Sequence, residues 1–273
     1  MKFDCHMHTP LCGHALGHTA EYVREAAKRR FDLVTFTCHI PMRDVGFGDG
    51  AIRMGMKDLD QYFRLVDEGR KVGEEFGVEV LTGIEAEVFP SESIMKEQDK
   101  ILGDYPFEFV LGSLHHHTDI FQKWLRKHSI DSDFERIDSY FRILADAVRT
   151  GRYDSMAHPD VIRIYGTVTE MDPLEHKEVI ISFLRAAAEE DVCIEVNTSG
   201  LRKGVYTVHP DPFILEWAKE LGVKLTMGSD SHTPDTVGYH FHDVAKQLAG
   251  MGFESLYYHK NRVQVPEPIA NFI

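Results

Sequence analysis

Short apolar runs alternate with longer amphipathic stretches along nearly the whole chain. The runs at 2–8, 33–39, 78–85, 109–115, 153–158, 192–197 and 223–230 are rich in β-branched and aromatic residues and read as strands. A weaker eighth candidate covers 255–259. Between them, 19–30, 58–76, 133–150, 174–189, 212–221 and 235–249 repeat apolar residues at helical spacing. Thr19 suits a helix N-cap, and Gly77, Gly151 and Gly222 suit the stops that follow helices. Strand, helix, strand, helix in regular succession predicts a parallel sheet. No linker, low-complexity tract or repeat interrupts it, so the expectation is one α/β domain over residues 1–273.

The polar residues at the ends of these runs change the picture. His6, His8, His14, His39, Glu85, His115, His158, Asp230 and His232 each sit at, or just past, the end of a strand candidate. Imidazole and carboxylate are ligands for Zn²⁺, Mn²⁺ and Fe²⁺. An open sheet would collect such residues at one switch point from a few strands. Ligands at nearly every strand end favour closure into a barrel, where all would converge on one mouth.

Local spacing supports this. Asp4, His6 and His8 alternate, so a period of two places them on one face and Cys5 and Met7 on the other. Glu85 and Glu87 share a face at a strand exit. A carboxylate can bridge two cations with its two oxygens, and Glu85, nearer the strand, is the expected bridge, with Glu87 behind it. Asp230 and His232 repeat the alternation after the seventh run. Several positions have rivals: His18 competes with His14, and His116 and His117 with His115.

The sixth run ends differently, in the segment 195–204 of sequence EVNTSGLRKG, without a histidine. Arg202 beside the expected mouth, and Arg163 after His158, are candidates to grip a phosphate in a guanidinium fork. Lys203 reads as a solvated loop charge. Metals plus arginine imply an anionic substrate, most simply a phosphate ester.

Composition removes other classes. The formal charge of −14 disfavours a nucleic-acid coat or membrane-surface binder, which need basic patches. It does not make the site hostile to anions, because bound divalent metals would invert the local sign. Sixteen histidines are many, and none forms a terminal tag. Cys5, Cys12, Cys38 and Cys193 include no CxxC pair, which disfavours a four-cysteine zinc site. Cys5 and Cys38 fall in apolar runs, where a free thiol behaves as a small hydrophobe. Reduced thiols, no signal-type apolar segment and no apolar run long enough to span a membrane point to a cytoplasmic protein. No GxSxG or GxxxxGK[ST] motif offers serine or nucleotide chemistry.

The ordered motifs HMHT at 6–9, TCH at 37–39, GIE at 83–85, SLH at 113–115, AHP at 157–159 and GSDSH at 228–232 resemble those of the PHP (polymerase and histidinol phosphatase) superfamily over nearly the whole chain. The loop CGHA at 12–15, HPD at 158–160 with Arg163, and EVNTSG at 195–200 resemble its monofunctional histidinol-phosphatase branch. The resemblance implies a distorted (β/α)₇ TIM-like barrel. It implies a trinuclear site: His6, His8, Glu85 and Asp230 around one metal, His14, His39 and His232 around a second, and Glu85, His115 and His158 around a third. Two or three divalent ions (Zn, Mn or Fe) would be bound, with Glu85 and a water or hydroxide bridging. Two departures stand out: Cys38 replaces a frequently acidic residue, and the Gly- and Met-rich segment 42–56 could reshape the substrate entrance.

The expected activity is hydrolysis of L-histidinol phosphate in histidine biosynthesis by a metal-activated hydroxide. Glu85, Asp230 and His232 would be catalytic and Arg202 and Arg163 would bind substrate, with no nucleic-acid or membrane partner. Another small phosphomonoester or phosphodiester, and a non-catalytic metal-binding regulatory module, are the alternatives. An amidohydrolase would add a strand-end lysine, which is missing here.

Overall fold

The computed structural model describes residues 1–47 and 52–273. Seven strands form one sheet in strict chain order, every neighbouring pair parallel. They are β1 (Phe3–Met7), β2 (Leu33–Phe36), β3 (Glu79–Glu87), β4 (Phe109–Ser113), β5 (Ser155–Met156), β6 (Cys193–Asn197) and β7 (Leu225–Gly228). Each falls on a predicted run. The sheet closes on itself just beyond β7: the His8 amide donates to the Ser231 carbonyl at 2.9 Å, and the Ser231 amide to that of His6 at 3.2 Å. The result is a distorted (β/α)₇ barrel. Apart from Glu79 at the start of β3, every residue of these seven strands is buried, which explains their nearly continuous apolar character.

Helices α1 (Thr19–Lys28), α2 (Leu59–Phe76), α3 (Glu92–Asp104), α4 (Asp119–Lys127), α5 (Asp133–Val148), α6 (Lys177–Glu189), α7 (Pro212–Glu220) and α8 (Phe241–Gly250) form the outer ring. Their apolar stripes face the sheet. On α5, Ile137, Tyr140, Phe141, Leu144 and Val148 are buried, each large side chain stabilising by roughly 1.5–3 kcal/mol. Ser132 caps α5 by accepting from the Glu135 amide, and Glu135 reaches back to the Ser132 amide. Helices α3 and α4 were not anticipated, because they bury only three and two residues respectively among mostly polar positions. Helix α8 starts at Phe241 and not at 235, since Gly238 (φ 61°) and His240 (φ 54°) adopt left-handed backbone before it.

The eighth strand candidate, β8 (Ser255–Lys260), lies outside the barrel. It pairs antiparallel with β9 (Val263–Pro268), which the pattern had not indicated.

Two devices fix the strand ends. Pairing of β2 with β3 continues past Phe36: the Glu85 amide donates to the Cys38 carbonyl at 3.0 Å and the Ile40 amide to the Glu85 carbonyl at 2.9 Å. This brings His39 beside Glu85. The buried Tyr62 hydroxyl on α2 lies 2.7 Å from the Phe36 carbonyl and 2.8 Å from that of Gly83, tying the same two strands just below the site.

Candidate metal centre

The strand ends converge as the alternation predicts. His6 Nε2 and His8 Nε2 are 3.1 Å apart. Asp230 Oδ1 lies 3.2 Å from His8 Nε2 and 3.8 Å from His6 Nε2. Glu85 Oε2 lies 3.6 Å and 3.8 Å from the same two nitrogens. Ligands bound about 2.0–2.2 Å from one tetrahedral cation stand about 3.3–3.6 Å from each other, so these four atoms surround a point of suitable size.

Glu85 is the hub. Its Oε2 is 2.6 Å from His39 Nδ1, and its Oε1 is 3.1 Å from His158 Nε2 and 3.5 Å from His115 Nε2. His14 and His232 complete the rim, with ring centroids 4.3 Å apart, and His232 stacks on His8 at 4.0 Å. Of the rivals, His18 caps α1 and pairs with Glu68 at the surface. His116 is buried against Thr167 and the Val161 carbonyl. His117 lines the mouth of the site without joining the Glu85 cluster.

Several donors fit a cation better than they fit one another. His39 Nδ1 and Glu85 Oε2, although 2.6 Å apart, make no hydrogen bond, and His8 Nδ1, His158 Nδ1 and His232 Nε2 are also buried without partners. Such orphaned atoms are costly unless something satisfies them. Groups such as His6–His8–Asp230, His6–Glu85–His158 and His8–His39–His232 each have ligand atoms within 4.8 Å of one another.

The electrostatics agree. Burial opposes ionisation of Glu85, yet His39, His115 and His6 outweigh it and hold its carboxyl well below the ordinary range. Burial likewise opposes ionisation of Asp230, where Lys203 and His6 prevail. Both groups therefore stand as anionic donors, with Asp230 Oδ2 also accepting from Ser199 Oγ at 3.0 Å. Burial, then the neighbouring His8, drives the His232 pKa down. Two ring positions also carry backbone strain, His158 at φ 25° and Asp230 at φ 51°, as functional sites commonly do.

Behind the cluster stand residues that sequence reasoning weighed lightly or missed. His6 Nδ1 donates to Glu195 Oε1 at 2.7 Å, and Glu195 Oε2 accepts from the His158 amide and Asn197 Nδ2, both at 2.9 Å. The sixth strand thus contributes a carboxylate that holds His6 in one tautomer, with Nε2 turned inward. The available signal was a glutamate inside an otherwise apolar run. Glu87 does the same for His115, accepting from its Nδ1 at 2.8 Å, while Arg53 Nη2 donates to Glu87 at 2.8 Å. Arg53 is fully buried and also donates to the Phe47 and Ile40 carbonyls. It anchors the described part of segment 42–56; residues 48–51, where that segment's expected effect on the entrance partly falls, lie outside the described residues.

The basic residues require a correction. Arg163 does not face the site. Its Nε meets Asp160 at 2.7 Å, Nη1 donates to Thr207 and approaches Asp211, and Nη2 donates to the Val208 carbonyl, so its fork is already occupied. Arg202 Nη2 donates to the Ser229 carbonyl at 2.6 Å, and its guanidinium lies over Tyr239. Lys203, read as a solvated charge, instead lines the cavity with His14, His39, His115, His117, His158, Tyr165, Asp230 and His232, its Nζ 3.3 Å from Asp230 Oδ2. A second cleft of similar size, bordered by Val88, Phe89, Met95 and Tyr153, contains no histidine.

A seven-stranded barrel with clustered imidazoles and carboxylates at one mouth defines a metallohydrolase-type architecture. The PHP domain family model matches residues 4–199, and the chain belongs to that family. Over 96% of its length it is 29% identical to a probable histidinol-phosphatase of Deinococcus radiodurans, covering 98% of that protein. It is 26% identical to the histidinol-phosphatase of Bacillus subtilis, over 87% of this chain and 96% of the relative. The crystal structure of histidinol phosphate phosphatase from Lactococcus lactis, complexed with zinc, L-histidinol and phosphate, superposes with a TM-score of 0.79 at 21% identity, covering 97% of this chain and 98% of that one. Within the PHP family the chain sits in the histidinol-phosphatase branch and is a metal-dependent phosphatase. Among the described residues, no helix is long and apolar enough to cross a membrane.

Proposed function

We propose that this chain is a cytoplasmic L-histidinol-phosphate phosphatase of histidine biosynthesis, acting as one domain at a trinuclear metal site. The observation that carries the proposal is that six of the nine strand-end residues line one small cavity with Lys203, while buried His6, His8 and Glu85 share close-set donor groups with them. His6, His8, Asp230 and Glu85 would hold one cation. His14, His39 and His232 would hold a second, and Glu85, His115 and His158 a third, with Glu85 common to two. Zinc, manganese and iron all suit such a donor set. When bound, these cations would activate a water as nucleophile at neutral pH and offset charge on the phosphoryl oxygens.

The protein's own groups prepare that chemistry. Glu195 and Glu87 hold His6 and His115 with Nδ1 protonated, which leaves each Nε2 lone pair facing the centre. Glu85 and Asp230 remain ionised and so bring negative charge to match the cations. Lys203 would hold a phosphate oxygen at the rim as a point charge. With neither arginine turned into the cavity, it takes the substrate-binding role expected of Arg163 and Arg202. Positioning and charge stabilisation are the main catalytic terms in phosphoryl transfer. His232, kept neutral by burial, would serve as a ligand and not as a proton donor to the leaving oxygen.

The test pairs elemental analysis with turnover on the same preparation. The expected result is two or three divalent ions per chain, with phosphate release from L-histidinol phosphate faster than from a panel of other phosphomonoesters and diesters. A chelator should abolish activity, and Zn²⁺ or Mn²⁺ should restore it. Full metal content without hydrolysis of any phosphomonoester would overturn the proposal and favour a non-catalytic metal-binding module.

A further inference from the structure

Two of the four cysteines lie inside the histidine cluster, and no role described above uses them. Cys12 and Cys38 are fully buried. Their sulfurs and a ring nitrogen of His8 all lie within 4.8 Å of one another. Cys12 belongs to a second such group with His14 and His232. Cys5 and Cys193 belong to the barrel wall: both are buried strand residues, and Cys193 accepts from Gln264 at 3.1 Å.

The surroundings favour ligation over simple filling of space. His8 Nδ1 is buried and has no hydrogen-bond partner, as is His232 Nε2. His14 Nδ1 donates to the Cys12 carbonyl at 3.0 Å, which leaves its Nε2 as the lone-pair nitrogen. Gly13, at φ 82°, reverses the chain between Cys12 and His14, so neighbouring residues can present both ligand types to one place. Thr9 Oγ1 donates to Cys38 Sγ at 3.3 Å, and that thiol donates to the Thr9 carbonyl at 3.7 Å; ligation would give up the second contact and keep the first, which supports negative charge on sulfur.

The geometry points to Cys12 and Cys38 as thiolate ligands that, together with His8, hold a borderline or soft divalent cation on the His14–His232 side of the cluster. This rests on the reading of the cluster as a metal centre and deepens it by assigning ligand chemistry and metal preference. Binding transfers one proton from each thiol to solvent, and the remaining ring proton of His8 as well when its Nε2 already holds the first cation; two metal–sulfur bonds form, with no change in oxidation state. Thiolate donors select Zn²⁺ or Fe²⁺ over Mg²⁺ and Mn²⁺, so this position should discriminate where an all-imidazole and carboxylate set would not.

X-ray absorption on the zinc-loaded wild type tests this without any substitution: a sulfur shell at about 2.3 Å beside the nitrogen and oxygen shell at about 2.0–2.2 Å is expected. Cobalt loading should give a near-ultraviolet sulfur-to-cobalt charge-transfer band. The band should weaken in Cys12→Ser and in Cys38→Ser, vanish in the double variant, and persist in Cys193→Ser. Competition with a chelator should show the double variant binding its weakest cation at least tenfold less tightly. A fully loaded wild type with only nitrogen and oxygen neighbours overturns the thiolate assignment and leaves the phosphatase reading standing. A chain that takes up no metal overturns both.

Discussion

Glu195 Oε1 accepts a hydrogen bond from His6 Nδ1 at 2.7 Å across 189 positions of sequence. The pair is fully buried. The same carboxylate holds the His158 backbone, so one side chain of β6 orients a residue of β1 and one just past β5. Glu195→Gln should therefore keep the fold and lower metal affinity or activity by roughly 10- to 100-fold, the usual cost of losing such a supporting partner. Chelator competition, with circular dichroism to confirm folding, checks it. Unchanged affinity would remove Glu195 from the site.

Gly228 makes room for that carboxylate. A Cβ there would meet Glu195 Oε1 at 2.0 Å and His6 Cβ at 2.5 Å. Gly228→Ala should cost at least the roughly 1–3 kcal/mol typical of overpacking and should impair metal binding together with stability. Denaturant melts and metal titration of the same variant test both effects.

Lys203 and Arg163 should separate cleanly. Lys203→Ala removes a cavity-facing cation, and kcat/KM for a phosphomonoester should fall by about 10- to 100-fold, matching the loss of a charged hydrogen bond of roughly 1.5–3 kcal/mol. Arg163→Ala leaves the buried Asp160 short of a partner. It should destabilise by on the order of 3–5 kcal/mol with a smaller change in KM. Kinetics and urea melts on both variants distinguish the roles; a KM effect larger for Arg163 than for Lys203 would contradict the assignment.

His259 gives the fold an acid sensitivity away from the metal centre. It lies in β8, stacked on Phe109 with centroids 5.1 Å apart. Burial, aided by Arg262, pushes its pKa from 6.5 down to about 4. The unfolded chain takes up the proton before the folded one, so this residue's contribution is full above pH 6.5 and is lost as pH falls toward about 4. His259→Gln should flatten the pH dependence of stability within that window relative to wild type. Parallel melts in chelator, which remove the metal contribution from both proteins, measure the difference. Identical slopes would refute it.

The seven barrel strands and the ligand-bearing strand ends were legible because their physics is local. A buried strand needs a short continuous apolar run, and a residue placed just past it must emerge at that strand's end of the sheet. Alternation also joined His6 to His8 and Asp230 to His232, since period two is a property of any strand. The hairpin of β8 and β9 was less legible: β9 includes two prolines and mixed burial, which blur an apolar alternation.

What the order of residues determined is which chemistry the chain can gather: imidazoles and carboxylates delivered to one end of a parallel sheet. What only the tertiary structure decided is how those groups are supported and which charges face them. Glu195 looks like any polar residue within a strand until barrel closure brings β1 beside β7, and β6 beside it, so that the carboxylate meets His6. Arg163, Arg202 and Lys203 are indistinguishable as loop cations until Asp160 and Asp211 engage the Arg163 guanidinium, the Ser229 carbonyl holds Arg202 Nη2, and Lys203 alone of the three lines the cavity. Spacing along a chain carries periodicity, whereas the partner of a long flexible side chain depends on which distant segment the fold places within its reach.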